Sequence, residues 1–158
     1  GVASALSGQR TIHPHPTIDD PSQKALCLEG GEEEVDEHAS QDVSLKSSVV
    51  ANIYLQEDGD LVALINGRPN VEYHVLTVPR SAYLAVIFHN DSDEPHRLTG
   101  RFGSFPNVPE AVSCTTAVHP GKSAYLGFEI PKTNAASSTP LEFIVPGVDG
   151  ATIQIVVP

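Results

Sequence analysis

Tyr83-Leu84-Ala85-Val86-Ile87-Phe88 is the most apolar stretch of the chain, and its alternation decides the fold class. Successive side chains of a strand point to opposite faces, so Leu84, Val86 and Phe88 share one face. The run ends at His89-Asn90-Asp91-Ser92-Asp93, a cluster of turn-forming residues. Outward in both directions, short runs of the same texture recur at the spacing of about 8–12 residues that marks an all-β domain. Upstream lie Val49–Leu55, stopped by Glu57-Asp58-Gly59-Asp60, then Leu61–Ile65, stopped by Asn66-Gly67-Arg68-Pro69, then 71–78. Downstream lie 96–102, 111–118, 123–130, 141–145 and 152–157. In 123–130, Leu126, Phe128 and Ile130 again share a face. No segment shows a helical period with caps. These runs predict an all-β, immunoglobulin-like antiparallel β-sandwich of about seven to nine strands over 49–158.

Residues 1–48 have a different texture. They hold nine acids against three bases and few aliphatic clusters. Pro14, Pro16 and Pro21 interrupt regular structure, and Gly30-Gly31-Glu32-Glu33-Glu34-Val35-Asp36-Glu37 repels itself with little to bury. A disordered acidic leader is expected over 1–48. Two readings of its carboxylates stay open. One is a solvated tail. The other is a low-affinity calcium or partner-binding arm using Glu32, Glu33, Glu34, Asp36 and Glu37, because clustered carboxylates are hard oxygen ligands. No EF-hand spacing is present, so such a calcium site is loose.

The net charge is −11 over 158 residues. Nucleic acid requires clustered Lys and Arg to neutralise phosphate, and the bases here are scattered. DNA, RNA and anionic membrane surfaces are therefore set aside. No run is apolar and long enough to span a bilayer. The chain contains no Met. It reads as an excised fragment, with a cleaved signal peptide upstream and a membrane helix expected after Pro158.

Cys27 and Cys114 are too few for a disulfide scaffold, although in an oxidising lumen they can pair. The sequon Asn90-Asp91-Ser92 makes Asn90 a candidate glycosylation site. No Gly-x-Ser-x-Gly elbow or Gly-rich phosphate loop occurs, so no catalytic residue and no organic cofactor is expected. His96, Cys114 and His119 invite a metal reading, since blue-copper sites use two His and one Cys. The ending 141–157 resembles the closing hairpin of a cupredoxin, whose last loop carries Cys, His and Met. Here Ile144 and Val148 stand near the Cys and His positions. The expectation is a domain without copper or zinc.

One family matches the order of motifs. Asn66-Gly67-Arg68-Pro69 is followed by Asn90 with Asp93-Glu94-Pro95 behind it. Then come Leu98-Thr99-Gly100-Arg101-Phe102-Gly103-Ser104-Phe105, and His119-Pro120-Gly121-Lys122 before Tyr125-Leu126-Gly127-Phe128. This resembles the luminal domain of the translocon-associated protein alpha subunit in its fungal form, over roughly 61–145. Phe105 departs from the Leu usual in that family. The resemblance implies a non-enzymatic luminal domain, anchored in the endoplasmic reticulum membrane by a helix absent here. It implies partners in the protein-conducting channel and other translocon subunits. It also implies that a calcium-binding leader would map onto the carboxylates named above. A secreted or cell-surface immunoglobulin-like adhesion or effector module, or a copper-free cupredoxin-like domain, is the alternative. Partner contact is expected at the loops 66–69, 89–95 and 105–109 or at an edge strand, because the aliphatic strand faces are taken by the core.

Overall fold

A computed structural model describes residues 11–12, 18–35, 45–46, 49–65, 68–69, 74–79, 82–102, 111–129 and 141–157. In chain order the elements are β1 (Thr11–Ile12), α1 (Pro21–Glu29), β2 (Leu45–Lys46), β3 (Val49–Leu55), β4 (Leu61–Ile65), β5 (Arg68–Pro69) and β6 (Val75–Thr77). They continue with β7 (Tyr83–Asn90), β8 (Thr99–Phe102), β9 (Ala111–Cys114), β10 (Ser123–Glu129), β11 (Glu142–Ile144) and β12 (Thr152–Val156). Two five-stranded sheets, in the orders β10-β7-β3-β4-β5 and β6-β12-β11-β8-β9, make a β-sandwich. Strands β1 and β2 pair with each other as a separate two-stranded ribbon.

Alternation builds the interior. Strand β3 buries Val49, Ala51, Ile53 and Leu55 and turns Val50, Asn52 and Tyr54 outward. Strand β7 contributes Leu84, Val86 and Phe88, the three residues whose shared face the sequence predicted. Phe143, Ile153 and Ile155 meet them from the opposite sheet. Ala85, which points outward, is nevertheless buried, because β7 sits between β3 and β10 deep within its sheet.

The pairing is mainly antiparallel, as the sequence predicted, with two exceptions. β3 runs parallel to β7, and β6 parallel to β12. Adjacent antiparallel strands need only a hairpin, whereas these parallel neighbours are reached through long connections. Alternation reports which face is buried and is blind to strand direction, so the sequence pattern could not separate the two cases.

A correction concerns the leader. Residues 18–35, expected to be disordered, contain a nine-residue helix and a strap packed on the second sheet. Pro21, read as a breaker, is the first residue of α1, where its fixed φ is helical and its missing N–H costs nothing. Asp20 caps the helix through Ser22 N–H at 2.9 Å. Helical periodicity was invisible because α1 buries only Cys27. The rest of 1–48, apart from β1 and β2, lies outside the described residues. Among the described residues no helix is long and apolar enough to cross a membrane.

Candidate protein-binding face

The sheet β10-β7-β3-β4-β5 has a core face and an outer face. Its outer face carries Val50, Asn52 and Tyr54 from β3, Val62 and Leu64 from β4, Ile87 and His89 from β7, and Ser123 and Tyr125 from β10. Tyr125 is 38% exposed, one of only two large hydrophobic side chains so exposed among the described residues. The expectation that strand faces are consumed by the core holds for one side of this sheet only.

A polar chain stiffens the face. His89 lies beside Tyr54 in register, and the two rings stack at 4.4 Å between centroids and 10° between planes. His89 Nε2 is 2.9 Å from Asn52 Oδ1, and Nδ1 is 2.9 Å from Ser123 Oγ. An amide oxygen only accepts, so Nε2 donates to Asn52. Burial holds the His89 pKa below the ordinary histidine value against the opposing pull of Asp91. That favours the neutral ring, in which Nδ1 accepts from the Ser123 hydroxyl. The order Ser123–His89–Asn52 has the polarity of an acyl-transfer triad. Ser123, however, is exposed on edge strand β10, where water competes for any charge that develops. The chain fixes the orientation of Tyr54.

A hollow of about 460 Å³ adjoins this stack, lined by Tyr54, Gln56, Asp60, Val62, Leu64 and Asp91. Backbone bonds bring its polar rim together. Gln56 N–H donates to Asp60 O at 2.9 Å, and Asp91 N–H to Leu55 O at 2.8 Å. Gly59 makes the tight β3–β4 turn possible with φ of 88°, a left-handed conformation that side-chained residues avoid. His74 Nε2 lies 2.8 Å from Asp60 Oδ1.

Other sequence candidates fare differently. Cys27 and Cys114 form a disulfide, with Cα atoms 5.6 Å apart. Both half-cystines are buried. Cys114 therefore has no thiolate for a blue-copper ion. His96 pairs by backbone with Val118, and His119 follows it in the chain. The loop between β11 and β12 reads Val145-Pro146-Gly147-Val148-Asp149-Gly150-Ala151, without Cys, His or Met. The residues present do not fit a blue-copper group. Among the described residues no three His, Cys, Asp or Glu side chains are grouped to hold a metal ion. Glu32, Glu33 and Glu34 are exposed on the strap, while Asp36 and Glu37, the other calcium candidates, lie outside the described residues.

Asn90 is corrected. Its side chain is fully buried. Nδ2, the atom a glycan would occupy, donates to Glu94 O at 2.7 Å and Val118 O at 2.8 Å. Oδ1 accepts from Ser92 N–H at 3.0 Å and from the Ser92 hydroxyl. The sequon is thus a brace across the loop after β7, and a glycan on Asn90 is incompatible with this fold. Folded, disulfide-bonded protein from a secretory host should show an unmodified Asn90 by peptide mass; a glycan there would overturn the brace. Of the three candidate contact loops, 89–95 is described and organised by Asn90. In the other two, 105–109 and residues 66–67 lie outside the described residues.

No protein-family model matches the chain, and no curated protein sequence does. Among solved structures, auracyanin A, a "blue" copper protein of Chloroflexus aurantiacus, superposes with a TM-score of 0.49 at 14% identity over 69% of this chain and 98% of its own. Auracyanin of Roseiflexus castenholzii gives 0.47 at 16% identity over 71% and 98%. Reduced rusticyanin gives 0.42 at 20% identity over 91% and 98%. Likeness at this level carries no functional argument. The sandwich assignment stands on the two sheets themselves.

Proposed function

We propose that this chain is a non-enzymatic β-sandwich that binds other proteins in an oxidising, secretory compartment. The observation that carries the reading is the Cys27–Cys114 disulfide, formed by the only two cysteines of the chain. It removes the thiolate that copper electron transfer requires. It also suits a compartment where disulfides persist. The half-buried, aromatic outer face of the first sheet supplies a contact surface on a rigid scaffold.

The finer placement, beside the protein-conducting channel of the endoplasmic reticulum as a translocon-associated alpha-type subunit, rests on the order of sequence motifs. A secreted or surface module with the same sandwich is the rival placement. Photo-crosslinking from position 125, in protein anchored in the membrane of microsomes that carry engaged ribosomes, tests it. Channel or translocon subunits should be the principal adducts. Absence of such adducts, with the domain folded and oxidised, overturns the placement. Capture of a secreted or cell-surface protein instead favours the rival. An intense visible charge-transfer band after copper loading would overturn the copper-free reading.

A further inference from the structure

We propose that the hollow beside Tyr54 receives an arginine side chain from a partner protein. The proposal deepens the protein-binding reading and rests on it. The floor is apolar. Strand β4 buries Leu61 and Ala63, which leaves Val62 and Leu64 on the outer surface. Register sets Val62 opposite Tyr54 and Leu64 opposite Asn52. β3 lies between β7 and β4, and the Tyr54 ring rests on His89 from the β7 side. Its other face is therefore presented toward β4, over the floor. A ring held by a stacked, twice hydrogen-bonded His89 has little rotamer freedom left to lose on binding.

The rim is acidic. Of the six lining residues two are aspartates, Asp60 and Asp91, and none is a cation. Backbone bonds from Gln56 to Asp60 and from Asp91 to Leu55 hold both residues beside the end of β3. The turn is anchored further by Asp58, whose Oδ1 accepts from Asp60 N–H at 2.9 Å. His74 engages one Asp60 oxygen and leaves the second available. The chain as a whole, at −11, attracts cations at long range.

An apolar floor, one aromatic face and two carboxylates match an arginine better than a lysine. The aliphatic stem covers Val62 and Leu64, the planar guanidinium stacks on Tyr54, and its N–H fork pairs with carboxylate oxygens. An ammonium keeps the charge but loses the plane and the fork.

The test titrates the ¹⁵N-labelled, oxidised chain at low salt with the blocked peptide acetyl-Gly-Ser-Arg-Ser-Gly-amide, and with versions carrying Lys or neutral citrulline in place of Arg. Saturable amide shifts confined to Tyr54, Asp60, Val62, Leu64 and Asp91 are expected, with a Kd near the millimolar range typical of a single side-chain anchor. The citrulline peptide and the variant Asp60→Asn/Asp91→Asn should each bind at least tenfold more weakly. Leu64→Lys, which places an internal cation on the floor, should abolish the shifts while leaving the spectrum of the core unchanged. Equal response to citrulline, tighter binding of the Lys peptide, or shifts spread over all surface carboxylates would each overturn the proposal. Cross-linking from Tyr125 does not depend on the hollow, so loss of arginine binding with cross-links intact removes this proposal alone. Arginine binding without protein cross-links removes the wider reading.

Discussion

The two hydrophobic clusters of this protein are held together by different means. The main cluster lies between the sheets and includes Phe88, Phe143, Ile53, Leu84 and Leu126, all fully buried. Area removed from water sustains it, at roughly 25 cal/mol per Å². Among the described residues the second cluster, between the strap and β9, consists of Ile18, Cys27, Val35, Val112 and Cys114, with Leu26 against them. Such a set buries little. Covalent and polar ties supply the rest: the disulfide, the bond from Ile18 N–H to Val112 O at 3.0 Å, and the Thr99 hydroxyl on Cys27 O. Arg97 adds the main polar tie. Buried to 1% exposure, it donates from Nη2 to Gly31 O and Glu33 O, both at 2.6 Å, and from Nη1 to Thr115 O at 3.1 Å. A segment rich in acids is thus held through its carbonyls by one buried guanidinium, and its carboxylates stay in water.

If that contrast is right, damage to the two clusters should differ in reach. Phe143→Ala empties the centre of the main cluster and should cost about 3–5 kcal/mol, lowering the midpoint of chemical denaturation for every probe together. Cys27→Ser/Cys114→Ser removes a link spanning 87 residues, worth about 2–4 kcal/mol. Amides of 18–35 should lose more hydrogen-exchange protection than those of β3 and β7; equal loss in both would show a single cooperative unit.

Arg97→Met keeps much of the apolar stem but strands three carbonyls, and should cost about 1–3 kcal/mol. Susceptibility of 30–35 to proteolysis, with the disulfide still formed, is the expected signature. The smallest effect concerns α1. The Ser22 hydroxyl first, and the Ser22 N–H next, hold the Asp20 carboxyl below its ordinary pKa. A depressed folded value means the cap contributes fully above the unfolded pKa and fades as pH falls through the folded one. Exchange protection of the first turn of α1 should therefore drop at acid pH, below the usual carboxylate range, and Asp20→Ala should remove that pH dependence.

The sequence foretold much of the main cluster and little of the second. Leu84, Val86 and Phe88 were legible because period-two alternation in a half-buried strand is a local property. Strand edges were less legible. The run 111–118 shortens to Ala111–Cys114, with Val118 kept only as a bridge to His96. Helix α1 did carry a local signal, Asp20 followed by Pro21, which is a cap and a first-turn proline. The acids and prolines around it pointed the other way. The hollow had no sequence signature at all, since Tyr54, Asp60, Val62 and Asp91 come from two strands and two loops.

By itself the sequence determined the class: alternation and turn chemistry are set residue by residue, and they specify strands with one buried side. It also made a disulfide available by supplying two cysteines. Only the tertiary structure decided that β3 and β7 run parallel, that Asn90 braces a loop instead of carrying a glycan, and that the strap docks on β9. The reason is the same in each case. Strand direction, burial of a single amide and the reach of Arg97 to Gly31 depend on residues tens of positions apart, and nothing in a local pattern encodes which distant carbonyl a donor will meet.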